Sequence, residues 1–143
     1  MTSTASRHFT RTEDQALAAY LSGVIGQPWS ARENCWTLTA RIQRDYFGRR
    51  LPLVRLPKTA EERHETFHSR PERAAWRQVS EPQHGAVVLM SAVESPRRDE
   101  HAGVCVVFDW PLIVHVDDPH GVVADDIMTA RARGWSLSYW MPV

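Results

Sequence analysis

The 143 residues suffice for one domain with a real core and fall short of two. Lys plus Arg number 17 and Asp plus Glu number 17, so no net charge draws the chain to nucleic acid or to an anionic membrane. Two cysteines, Cys35 and Cys105, form neither a disulfide framework nor a recognisable zinc spacing; no apolar run approaches the roughly 20 residues of a membrane span, and Met1–Ser6 lacks the apolar segment of a secretory signal.

Residues 1–11 read as a polar tail and 12–143 as a single domain. Thr12-Glu13-Asp14-Gln15 fits a capping box. Behind it Ala16, Leu17, Tyr20, Leu21, Val24 and Ile25 recur at helical spacing, and Gly26 and Pro28 close that first helix. A second helix is expected over about 35–47, with Cys35, Leu38, Thr39, Ile42 and Tyr46 on its inner face and Gly48 as its C-terminal cap. Leu51-Pro52 then leads the chain away. The charge-rich Glu61–Glu65 predicts a solvated helix broken near Pro71, followed by a short helix at about Glu72–Gln78 that buries Ala75, Trp76 and Val79.

From Gly85 the period changes. Ala86–Met90 is a continuous apolar run and reads as a buried strand. Ser95–Glu100 is a polar loop, His101–Phe108 the next strand, Asp109-Trp110-Pro111 a turn and Leu112–Val116 the returning strand. Asp117–Gly121 reads as loop, 123–133 as a short helix, and Ser136–Met141 as a last strand. Helices first and an antiparallel meander after them make an α+β fold, with the helices packed on one face of a curved sheet.

Cys35 sits where the loop Gly26–Asn34 becomes a helix. Unpaired N–H groups and the helix dipole stabilise an anion there, so its thiolate is expected at a depressed pKa. Cys105, between Val104 and Val106, reads as a core residue. A cysteine nucleophile needs a base, and the base an orienting partner. Of seven histidines, His8 falls in the tail, His64 and His68 in the solvated stretch, and His84 and His120 beside loops. His101 and His115 stand on consecutive strands. A hairpin centred on Phe108 sets them directly opposite, and the turn-formers Asp109 and Pro111 pull the centre later and make them offset neighbours. A loop of odd length keeps both on one face of the sheet. Asp117 is the alternative orienting group.

Taken in order, Gly26-Gln27-Pro28-Trp29, Asn34-Cys35-Trp36-Thr37-Leu38, Gly48 with Leu51-Pro52, Gly85–Met90, His101-Ala102-Gly103-Val104, Val114-His115 and Tyr139-Trp140-Met141-Pro142 resemble the NlpC/p60 peptidases. These are papain-like cysteine enzymes, and the closest likeness is to the short form found in tails of phages and gene transfer agents. The resemblance implies a papain-like fold, with Cys35 as nucleophile, His101 as general base and His115 as orienting residue. It further implies cleavage of peptidoglycan stem peptides through a thioester acyl-enzyme, with no cofactor and no metal ion. Trp29, Asn34 and Trp36 are the residues expected against substrate. The chain departs from the family at Asn34 (commonly Asp), Trp36 (commonly Ser), Trp29 (usually Tyr) and Ala86 (commonly Asp).

Two functions follow. One is a peptidoglycan-cutting cysteine peptidase assembled in the bacterial cytoplasm into a phage-type tail, with tail-tip and hub proteins as partners, and acting at the cell wall. The other is a structural tail-tip assembly protein of the same fold with little or no turnover. A cytoplasmic thiol acyltransferase or amidase is a third and weaker reading.

Overall fold

In a computed structural model of the chain, residues 11–28, 34–52, 55–94, 98–117 and 120–143 are described, with side chains from Asp14 onward. Apart from Arg11, the expected tail lies outside them. The first helix, α1, spans Arg11–Val24 and so runs through Thr12, which was expected at its cap. Leu17, Leu21 and Val24 form its buried stripe.

The second helix, α2, spans Cys35–Phe47. Its start is written locally: Asn34 is the N-cap, and its side chain accepts from the N–H groups of Trp36 and Thr37, both at 3.0 Å. Thr37 Oγ1 accepts from Asn34 N in return, completing a capping box. Its end is glycine-dependent, because Gly48 takes φ 64° in the left-handed region. Helix α3 spans Ala60–Ser69 and is capped by Thr59.

The second short helix expected at Glu72–Gln78 is corrected. Pro71–Ala75 is a 3₁₀ turn, and Trp76–Val79 is a strand, β1. Ala75 is exposed, and Trp76 and Val79 are half-buried. Next come β2 (Val87–Ala92), β3 (Asp99–Val107) and β4 (Pro111–Asp117). Here the expected 123–133 helix is also corrected: Gly121–Asp126 is strand β5, and only Ile127–Ala132 is helical, as α4. Strand β6 (Trp135–Pro142) closes the chain.

These strands form one antiparallel sheet in the order β1-β6-β2-β3-β4-β5. The architecture is α+β. Alternation along the strands divides the core between two faces. Val104 and Val106 of β3, Val114 and Val116 of β4 and Val122 of β5 meet α1 and α2 on one side. On the other side Val88, Met90, Cys105, Val107, Ile113 and Tyr139 pack with Ile127 of α4 and with Trp135. The helices are therefore not all on one face.

The β3–β4 hairpin decides the geometry of the site. Its register pairs Cys105 with Ile113 and Val107 with Pro111, which leaves a three-residue loop centred on Asp109. That is the later centre and the odd loop, so His101 and His115 are offset neighbours on one face. His115 lies opposite Gly103, where a Cβ would come 2.7 Å from the Val114 carbonyl oxygen and 3.0 Å from His115 Cβ. Glycine at 103 is what lets the two strands close around the histidine.

Candidate active site

Cys35, in the first turn of α2, is 1% exposed and packs among Trp36, Phe67, Val87, Leu89, Ala102 and Trp140. Burial pushes its thiol up to about 11. The Ala102 backbone N–H, the Arg63 guanidinium and the first-turn amides of Trp36 and Cys35 itself favour the thiolate, but together they do not offset the loss of water. This corrects the expected depressed pKa: a helix terminus stabilises an anion by a modest amount, and full burial costs more. Cys105 is fully buried and pushed up to about 12 by the same cause.

Both thiols should therefore alkylate slowly with iodoacetamide at neutral pH. The Cys35 rate should climb about tenfold per pH unit towards 11, because only the thiolate attacks. Rate constants from mass spectrometry across that range are the measurement, and a Cys35 rate already on its plateau at neutral pH would contradict the buried thiol.

On the opposite face, His101 Nε2 lies 3.0 Å from His115 Nδ1, and His115 Nε2 lies 3.0 Å from Asp125 Oδ2. His115 is fully buried and Asp125 nearly so. The same Asp125 oxygen forms an ion pair with Arg133 Nε at 3.0 Å, and Arg133 Nη1 donates to Asp117 at 2.9 Å. His101 stacks on Trp135, with ring centroids 4.9 Å apart and planes within 18°.

The chain of contacts dictates the protons. Ionised Asp125 can only accept, so His115 carries its proton on Nε2 and presents a bare Nδ1. His101 must then donate from Nε2, which leaves its own Nδ1 unprotonated. Burial, helped by the positive charge that His115 and Arg63 would set against it, lowers the His101 pKa to about 3 and keeps the ring neutral.

The carboxylate of this relay was not anticipated. Asp117 was the alternative considered, and it pairs with Arg133 instead. Asp125 fell in the stretch read as helix. Read as a strand, Gly121–Asp126 alternates Val122 and Ala124 toward α1 and α2 with Val123 and Asp125 on the His115 face, the one local signal that could have found it. Asp125→Ala should cost about 1–3 kcal/mol, because it strands the buried His115 N–H. Asp125→Asn keeps an acceptor and should cost less. Urea midpoints of the two variants test the order, and equal values would refute the relay's structural weight.

Cys35 packs against one face of the sheet, whereas His101 projects from the other. Ala102 pairs with Leu89 on the Cys35 face, whereas His101 pairs with Met90 on the other face. Among the described residues no hydrogen bond joins the sulfur to the His101 ring. The structure thus unites His101 with His115, and sets Cys35 against the backbone one residue away.

Of the residues expected against substrate, Trp29 lies outside the described residues. The Asn34 side chain is taken up by capping. Trp36 lines a cleft beside Cys35 with Phe67, Arg73, Trp76, Leu89 and Trp140, and its indole N–H donates to the Pro52 carbonyl at 2.8 Å. The Arg73 guanidinium sits 3.7 Å over the Trp140 ring. His84, expected to be solvated, accepts from Val107 N at 2.8 Å; His120 is exposed.

No known protein-family model matches the chain, and no curated protein matches its sequence.

Proposed function

We propose that this chain is a cysteine peptidase acting on peptidoglycan stem peptides, carried in a phage-type tail. One observation carries the chemical part: the Asp125–His115–His101 relay leaves a neutral imidazole with a bare Nδ1, one residue from the backbone N–H that faces Cys35. Substrate and tail rest on the ordered resemblance from Gly26 to Pro142.

In the reaction, Cys35 Sγ attacks the scissile carbonyl carbon as His101 Nδ1 takes the thiol proton. The Cys35 N–H, in the first turn of the helix, is placed to donate to the oxyanion. The imidazolium then gives its proton to the leaving amine, and water hydrolyses the thioester with His101 as base again. The step needs the sulfur within hydrogen-bond reach of Nδ1, a contact that this structure, with the two residues on opposite faces of the sheet, does not make.

A second reading, a structural tail-tip protein without turnover, is favoured by a different observation: the Cys35 thiol is buried, held neutral and not bonded to His101. Incubation of the purified chain with peptidoglycan separates the two. Release of new stem-peptide termini by the parent, and none by Cys35→Ala, supports the enzyme; no release by the parent sinks it.

A further inference from the structure

The sequence His64-Glu65-Thr66-Phe67-His68 places two histidines four residues apart, on one face of α3. Strand β3 brings a carboxylate to that pair from more than thirty residues away: His68 Nε2 lies 2.7 Å from Asp99 Oδ2. His64 Nδ1 accepts from Asp99 N at 2.8 Å, and the two imidazole rings are 4.5 Å apart. One ligand atom from each of the three residues lies within 4.8 Å of the others. All three side chains are half-buried, so an ion can reach them. The neighbouring charges are already paired or turned aside: Arg98 holds Glu61 at 2.6 Å, and Arg63 donates to the carbonyls of Pro57 and Glu100.

We propose that His64, His68 and Asp99 form a binding site for a divalent transition-metal ion of the zinc type. Two imidazoles and one carboxylate are the donor set that zinc takes with a fourth position left to water, and two histidines at that helical spacing are its common sequence form. Tetrahedral bonds of about 2.0–2.1 Å need ligand atoms about 3.3 Å apart, so His68 and Asp99 separate slightly when the ion enters. His64 exchanges its bond to the Asp99 N–H for the metal. The ion would tie α3 to β3 at the cleft wall, since the His68 ring meets the Trp140 ring edge-on at 5.8 Å.

The test titrates the metal-free full-length chain with Zn²⁺ by calorimetry and with Co²⁺ by absorption. One ion per chain is expected, with a tetrahedral cobalt spectrum lacking a sulfur charge-transfer band and a higher melting temperature on zinc addition. His68→Gln and Asp99→Asn, each checked for an intact fold by circular dichroism, should weaken binding about tenfold or more. Cys35→Ala and His101→Ala should bind like the parent. Absence of stoichiometric binding, binding that survives both ligand substitutions, or binding lost with Cys35 would each overturn the site and leave a plain His68–Asp99 hydrogen bond.

Discussion

His101→Ala should reduce peptidoglycan hydrolysis to the same residual level as Cys35→Ala, with the double variant no lower than either. Nucleophile and base make one proton transfer, so either loss removes the whole acyl-enzyme step, on the order of 10⁴-fold or more, and the losses do not add. Stability should change far less. Cys35→Ala deletes one buried sulfur, about 1 kcal/mol, and His101→Ala removes a ring stacked on Trp135, about 1–2 kcal/mol. Initial rates of stem-peptide release, with melting temperatures as the control for folding, check both halves. If the two single variants cut as fast as the parent, neither residue takes part in the chemistry.

Gly103→Ala should produce the largest loss of stability, about 2–4 kcal/mol, which for a chain of this size is a fall in melting temperature of roughly 10 °C. The added Cβ would sit 2.7 Å from the Val114 carbonyl oxygen, 3.0 Å from His115 Cβ and 3.4 Å from Ile113 Cγ2. Backbone cannot swing aside as the tip of a flexible side chain can, so β3 and β4 must separate in the middle of the sheet. The His101–His115 bond crosses that same gap and should be lost with it. Gly23→Ala is the matched control: a Cβ there meets nothing within 4 Å, and the position is helical, so stability should rise by about 0.5–1 kcal/mol. Thermal and urea unfolding of both variants suffice, and a neutral Gly103→Ala would mean that the hairpin closes without that contact.

Much of the candidate site was legible in the chain itself. Helix α2 begins and ends where Cys35 and Gly48 place it, because capping and a left-handed glycine are local instructions. That His101 and His115 share a face was conditional in the sequence on a loop of odd length, which the three-residue loop centred on Asp109 supplies. Where the reading failed, the cause was tertiary. Residues 76–78 and 123–126 were read as helix, and they belong to the two edge strands of the sheet. Each is short and mixed in polarity, and its extended form is imposed by a single partner, β6 or β4, rather than by its own residues. With β5 misread, Asp125 could not be seen beside His115. The thiol's raised pKa likewise depends on what covers it: the helix start is encoded at Asn34–Thr37, but the burial comes from Phe67, Leu89 and Trp140, side chains distant in sequence. His64, His68 and Asp99 meet only because α3 docks on β3: the spacing of the two histidines is local, but nothing in the sequence shows that Asp99 joins them. Local rules choose an element and its ends, whereas proximity and desolvation belong to the packed chain.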